Sequence, residues 1–218
     1  MKNFQVAIDG PAGSGKSSIS KIIAERLEFN HLDTGAMYRA ITLEALNRNV
    51  DLNEESSFEF IDEIDISYKD GKMYLNGQDV SKEIRSDLVT NNVSLVSKYK
   101  LVRDKMLPLQ RKIASEGKVL LDGRDIGYKV LPDAHLKIFL TASIEERARR
   151  RYLENKNSNM EVDLEQLQKE IIRRDYQDSN REHAPLRKAE DAIVLDTTNI
   201  SMEEVCDIII KLINERMK

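Results

Sequence analysis

Residues 4–20, Phe4-Gln5-Val6-Ala7-Ile8-Asp9-Gly10-Pro11-Ala12-Gly13-Ser14-Gly15-Lys16-Ser17-Ser18-Ile19-Ser20, hold the reading on which the fold turns. Phe4 to Ile8 is a short apolar run of strand type that leads into a glycine-rich turn. Beyond the turn, Ile19, Ile22, Ile23, Ala24 and Leu27 recur at helical spacing, so a helix with one apolar side follows. Strand, turn and helix thus frame Gly10 to Ser17, which fits G-x-x-x-x-G-K-[ST] in the setting its mechanism needs. Glycines let backbone N–H groups wrap phosphate oxygens, and the helix N-terminus adds partial positive charge. Lys16 reaches the β and γ phosphates of a nucleoside triphosphate, and the Ser17 hydroxyl can ligate Mg2+. Gly10, Pro11, Ala12, Gly13, Ser14, Gly15, Lys16, Ser17 and the adjoining Ser18 are the expected nucleotide-binding residues.

Working outward, His31 and Leu32 end a second strand, followed by an expected turn Asp33-Thr34-Gly35 and a helix from about Ala36 to Asn47. The pattern then shortens to Ile64–Tyr68 and Met73–Leu75 around Lys69-Asp70-Gly71-Lys72, where Asp-Gly signals a hairpin and hence a small antiparallel insert. Helical text returns from about Asp87 to Ser115. Lys118 to Leu121 reads as a buried strand ending in Asp122-Gly123-Arg124-Asp125, and Leu136 to Leu140 as another. Glu145 to Arg151 is too densely charged for burial on every side, so part of it faces solvent or ligand. A helix from about Leu164 to Asp175, a polar link, a strand at Ala192 to Leu195 and a helix opening after Ser201, with Glu204 in the capping-box position, complete the chain. Strands alternating with helices predict an α/β fold with a mainly parallel sheet.

The composition restricts what such a fold can do. A length of 218 residues suits one domain with an embedded lobe. The 33% charged and 40% apolar residues describe a chain with solvated outer faces. A net charge of -4 provides no global basic field for a nucleic-acid polymer, so none is expected as a partner. Cys206 stands alone in an apolar run and is expected to be a buried core residue compatible with a reducing cytosol. No apolar stretch is long enough for a membrane span, and the N-terminus lacks the features of a secretory signal, so Met1 is expected to lead directly into the fold. His, Cys and carboxylate spacing suggests no resident metal, so Mg2+ is expected to arrive with the nucleotide.

The phosphate loop alone leaves water, a protein or a small molecule open as acceptor. An Asn-Lys-x-Asp element of the kind GTPases use to read guanine is missing. Instead, arginines recur in short polar contexts, at 39, 103, 124, 147, 150, 151, 174 and 181. Such clusters suit a site that holds two phosphorylated substrates and neutralises charge during transfer. Arg124 stands out because it sits at the end of a buried strand, where an open α/β sheet places its ligands. Asp122 at the same edge is suited to a water-mediated contact with Mg2+. Of the histidines, His31, His135 and His183, none is given a role.

The segments GPAGSGKSS, LDTGAMYRA, DGRDIG, PDAHLKIFLTAS with EERARRR, and RRDYQDSNREHAPL together resemble the bacterial cytidylate kinases, within the nucleoside monophosphate kinase family. The resemblance spans nearly the whole chain. It implies a P-loop NTPase-type parallel sheet with flanking helices, a small antiparallel β insert forming the NMP-binding lobe, and a short helical LID. Residues 1–35, 86–145 and 186–218 would form the CORE, 36–85 the NMP-binding lobe with its insert at about 64–85, and 146–185 the LID and flanking helix. The activity implied is transfer of the ATP γ-phosphoryl group to CMP or dCMP, with UMP a poorer acceptor, by a cytoplasmic monomer.

Residue by residue, the resemblance assigns Thr34, Tyr38 and Arg39 to the acceptor, although many members carry Ser where Thr34 stands. Ser94, Arg103 and Asp125 would read the cytosine ring. Gly123, Arg124 and Arg174 would lie along the acceptor, with the two arginines on phosphate, and Asp178 and Arg181 would meet sugar hydroxyls and phosphates. Arg147, Arg150 and Arg151 would close over ATP with the LID. Lys16, Arg124, Arg151 and Arg174 are the expected catalytic groups, and Ser17 is the expected metal ligand, with Asp33 and Asp122 acting through water. Rival readings are a P-loop switch acting on a partner protein and, among enzymes, a uridylate or shikimate-type kinase.

Overall fold

The computed structural model describes residues 3–69, 71–157 and 163–218. Met1, Asp70 of the expected hairpin turn, and residues 158–162 of the expected LID segment lie outside the described residues. Strand β1 (Phe4–Asp9) runs through the loop into α1 (Lys16–Leu27), followed by β2 (Asn30–Asp33) and α2 (Thr34–Asn47). After a 3-10 segment at Glu55–Asp62, β3 (Ile66–Lys69), β4 (Lys72–Leu75) and β5 (Gln78–Asp79) form a small antiparallel sheet. The chain continues through a 3-10 turn (Glu83–Arg85), α3 (Asp87–Val96), α4 (Lys100–Ala114), β6 (Lys118–Gly123), a π-helical turn (Ile126–Val130) and β7 (Leu136–Thr141). It closes with α5 (Ile144–Asn157), α6 (Leu164–Asn180), β8 (Ile193–Asp196) and α7 (Met202–Met217).

The main sheet has the order β2-β6-β1-β7-β8, and each neighbouring pair is parallel. A parallel sheet must bury both faces, and the residues of β1 and β6 do so alternately. Val6, Ile8, Leu120, Ile138 and Leu140 pack with Ile19, Ile23, Val205, Cys206 and Ile209 of α1 and α7. Ala7, Leu32, Val119 and Leu121 pack on the opposite face with Met37, Ile41, Val102 and Met106 of α2 and α4. That second core continues through Phe58, Ile66 and Met73, which fastens the insert to the sheet domain. Asp9 is in register with Gly123, and Asp33 with Asp122, so polar residues collect along the C-terminal edge of these strands.

Three local expectations change. The expected turn at Asp33–Gly35 is a helix start: Asp33 is the N-cap of α2, its Oδ1 accepting the Ala36 amide at 3.2 Å. The single helical stretch from Asp87 to Ser115 breaks at residues 97–99. Tyr99 is the cause, because its ring is buried 5.3 Å from that of Phe58 and its hydroxyl donates to the Leu52 carbonyl at 2.9 Å. Helix α6 continues past Asp175 to Asn180, which puts Asp178 on the helix and Arg181 at its C-terminal boundary. The capping box at Ser201 and Glu204 is present on both sides, and Cys206 is a free, buried residue.

Candidate active site

The glycines of the phosphate loop answer specific steric demands. A Cβ on Gly10 would lie 2.2 Å from the backbone carbonyl oxygen of Leu140, an approach only glycine permits. Gly15, at φ +83°, supplies the left-handed residue that opens α1 and turns the loop amides inward. Lys16 follows at the helix start, buried, with Nζ donating to the Pro11 carbonyl at 3.1 Å. Burial, then the positive charges of Arg124 and Arg174, bring its ammonium down to about 7, against the pull of Asp122 and Asp33.

Beside Lys16, the Ser17 hydroxyl donates to Asp122 Oδ2 at 2.6 Å. The other carboxylate oxygen of Asp122 lies 2.7 Å from His31 Nε2, and its backbone carbonyl accepts from Thr34 Oγ1 at 2.7 Å. Burial alone would raise the Asp122 carboxyl, but His31, Lys16 and Ser17 hold it below the usual range. Ser17, Asp33 and Asp122 therefore offer oxygen atoms beside the lysine, a donor set that suits a hard cation such as Mg2+. Among the described residues no group of three or more His, Cys, Asp and Glu side chains converges as a metal site.

The cleft runs from this corner between α2, the Ser97 break and the end of α6. Eight cationic and five acidic side chains line it, an excess of positive charge in a chain of net charge -4. Beside the break at Ser97, Arg103 donates to Ser97 O at 3.0 Å and to Asp125 in a short bond, and its guanidinium lies 5.2 Å from the Tyr38 ring centre. Arg181 Nη2 stands 3.6 Å from the other oxygen of Asp125. In the middle, Arg124 Nε donates to Asp178 Oδ2 at 2.8 Å. Burial works against the charge on Asp178, but Arg124, Arg174 and Arg181 outweigh it and keep the carboxyl low.

Arg39 Nε, Arg174 Nε, Arg181 Nη2 and Ser94 Oγ are buried without a hydrogen-bond partner among the described residues. Unsatisfied cationic donors are costly in a folded chain, and their clustering in one cleft marks a place prepared for an anion. Burial, with Arg124 and Arg39 beside it, lowers Arg174 to about 9. A phosphate-loop motif with oxygen donors beside its lysine, and an Arg-Asp pair, thus share a cleft lined by arginines. That is the form of a site for phosphoryl transfer between two nucleotides.

The cytidylate kinase family model matches residues 6–215. The chain belongs to the cytidylate kinase family. It is 52% identical over 213 residues to the cytidylate kinase of Acholeplasma laidlawii (strain PG-8A), covering 98% of this chain and 96% of that one. It is 50% identical over 222 residues to that of Bacillus cytotoxicus, covering 100% and 99%. A crystal structure of an uncharacterized protein from Eubacterium ventriosum ATCC 27560 aligns over 98% of this chain and 99% of that one, with a TM-score of 0.56 at 15% identity, a likeness of fold.

In this cytidylate kinase family chain, most residues expected from the sequence meet in the one cleft. Ala12, Gly13, Gly15, Lys16, Ser17 and Ser18 line it from the loop, together with Thr34, Tyr38, Arg39, Ser94 and Arg103. Gly123, Arg124, Asp125, Arg151, Arg174, Asp178 and Arg181 close it. Gly10, Pro11 and Ser14 lie beneath the loop, buried. Arg147 stands outside the cleft: its guanidinium donates to Ala142 O at 3.0 Å, to Ala12 O at 2.9 Å and to Asp175 Oδ2 at 2.6 Å. Arg150 is likewise engaged, with Glu146 and with Thr197.

Four further residues belong to the site or its frame. Arg85, closing the insert, lines the cleft near Arg39, whose guanidinium is lowered by burial and also by Arg85. Asp175 accepts the Ala12 amide at 3.2 Å. Asp9 accepts the Ile126 and Gly127 amides at 2.8 and 2.7 Å, and burial pushes its carboxyl up to about 7 against those two bonds. His31 holds Asp122. Asp9 directly precedes the phosphate motif and His31 lies two residues before Asp33, but neither belongs to a local pattern that names its partner.

Proposed function

We propose that this chain binds Mg-ATP on the Gly10–Ser18 loop and transfers the γ-phosphoryl group to CMP or dCMP bound at the Arg103–Asp125 end. The family membership supports the reaction, and one observation carries the site assignment. The buried donors Arg39 Nε and Arg174 Nε have no hydrogen-bond partner among the described residues, and both residues line the cleft shared by the loop and the Arg103–Asp125 pair. Phosphates at that position would satisfy both. Lys16 would follow the transferring group, while Arg124, Arg151 and Arg174 would spread its charge. Mg2+, when bound with ATP at Ser17 and through water at Asp33 and Asp122, would neutralise phosphate charge. Positioning and charge stabilisation account for this transfer without a strong base.

Asp125 and Ser94 offer acceptors for the exocyclic amino group that separates cytosine from uracil, so UMP is the weaker acceptor. Thr34, Tyr38 and Gly123 would shape the acceptor pocket, and Asp178 and Arg181 would meet the sugar. We place the protein in the cytoplasm as a monomer. Its one cysteine is buried, and no helix among the described residues is long and apolar enough to cross a membrane.

A coupled assay of ADP release from Mg-ATP with CMP, dCMP, UMP, AMP or no acceptor tests the reading. Stimulation by CMP and dCMP above UMP, with the cytosine preference lost in Asp125→Ala, supports it. ADP release that no monophosphate raises above the acceptor-free rate overturns it.

A further inference from the structure

His31 touches neither end of the proposed substrates, yet it is tied to the metal corner by one of the closest side-chain contacts there. It stands on β2 opposite Leu120 of β6, and parallel pairing places it diagonally beside Asp122 on the same sheet face, under the start of α1. Its Nε2 lies 2.7 Å from Asp122 Oδ1 with the ring 14% exposed and the Asp122 side chain 1% exposed. The opposite oxygen of that carboxylate accepts a hydrogen bond from the Ser17 hydroxyl at 2.6 Å. An ionised carboxylate only accepts, so the short contact makes Nε2–H the donor. A buried carboxylate with one donor removed would rotate or reprotonate, and Ser17 would lose the acceptor that orients its hydroxyl.

We propose that His31 is a positioning residue: by donating from Nε2 to Asp122, it fixes the carboxylate that in turn aims the Ser17 oxygen at the metal of the ATP complex. This rests on Ser17 and Asp122 forming the metal side of the nucleotide site. It deepens that reading, because the partner of the carboxylate, and not only the ligand itself, governs how well Mg2+ is held. The hydrogen bond of His31 goes to Asp122, which the proposed assignment gives to the metal and not to the acceptor, so the acceptor end should not sense its loss.

The test compares the native chain, His31→Leu and His31→Gln, whose side-chain amide also presents an N–H. Isothermal titration measures ADP affinity with Mg2+ and with EDTA, and turnover is followed against Mg2+ at saturating ATP and CMP. The expected result in His31→Leu is a loss of about tenfold in the Mg2+-dependent gain of ADP affinity and in Mg2+ sensitivity of turnover. CMP KM and metal-free ADP affinity should stay unchanged, and His31→Gln should recover most of the effect. Imidazole 15N spectra of the native protein should show His31 as the Nε2–H tautomer.

Unchanged Mg2+ dependence in His31→Leu overturns the proposal, as does an equal loss of CMP KM and metal-free ADP affinity, which would mark a general structural role. An Nδ1–H tautomer overturns it as well, and this readout decides the matter if His31→Leu does not fold. Failure of the CMP reading is distinguishable, since native protein would then show no CMP-stimulated turnover while the ADP titrations still report on the metal corner.

Discussion

Arg147 of α5 donates from Nη1 to the carbonyl oxygen of Ala12 at 2.9 Å, and Asp175 of α6 accepts the Ala12 amide at 3.2 Å. The two side chains are themselves paired at 2.6 Å. Ala12, in the phosphate loop, is therefore held at both its amide and its carbonyl by side chains of α5 and α6. The shape of the loop thus depends on α5 and α6 being docked.

Arg147→Met keeps much of the volume but removes the donor to Asp175 Oδ2 and to the Ala12 carbonyl, leaving Asp175 only its bond from the Ala12 amide. Breaking a buried ion pair on one side costs about 3 kcal/mol. Urea unfolding should show that loss, and steady-state kinetics should show ATP KM rising several-fold more than CMP KM. Equal effects on both substrates would mean that the clamp stabilises the fold without shaping the loop.

Asp9 links the end of β1 to the turn that follows Asp125. In Asp9→Ala, the Ile126 and Gly127 amides, both on buried residues, lose their acceptor, at about 1–3 kcal/mol each. Thermal denaturation should register the loss. CMP KM should also rise, because the turn carrying Asp125 is no longer anchored; an unchanged CMP KM in a destabilised variant would separate the anchor from base reading.

Nucleotide binding should take up a proton. Lys16 in the open cleft is lowered to about 7, so at pH 8 to 9 it is largely neutral, whereas a bound phosphate would favour its charged form. The affinity contribution is therefore full below pH 7 and lost as pH rises through that value, by up to about tenfold per pH unit. Calorimetry of ADP binding at pH 8.5 in two buffers of different ionisation enthalpy should reveal uptake approaching one proton. Identical heats in both buffers would show that Lys16 is already charged.

Arg103→Met removes the partner of a carboxylate that is 5% exposed. Arg181 then remains as its cationic neighbour at 3.6 Å. A stability loss of about 3 kcal/mol is expected, together with a rise in CMP KM and little change in ATP KM. The discriminating measurement is the ratio of kcat/KM for CMP and UMP, which should fall towards unity if the Arg103–Asp125 pair orients the base.

Short-range text settled the framework. The alternation of apolar runs, the Gly10–Ser17 motif between a strand and a helix, and the Ser201 capping box are patterns whose causes lie within a few residues of one another, so periodicity and spacing expose them. The identities of the cleft residues were legible through the family-like segments around Arg39, Arg124 and Arg174. Local text could not show that α2 begins at Thr34, because Asp33-Thr34-Gly35 spells a turn as well as an N-cap, and only the Asp33 bond to Ala36 distinguishes them. Nor could it show the break at residues 97–99, which exists because Tyr99 finds a buried place against Phe58.

Tertiary structure alone decided who partners whom. His31 meets Asp122 across 91 positions, Asp9 meets Ile126 across 117, and Arg147 meets Ala12 across 135. No local signal ranks an arginine as loop clamp or phosphate ligand, since the same guanidinium serves either use and burial and geometry choose between them. The sequence determined the phosphate-loop motif and the charged residue types expected to serve it; the pairing of β1, β2 and β6 with α1 packed on them, and the packing of α6 on α5 and α3, determined which of those charges face the cleft and which hold its walls.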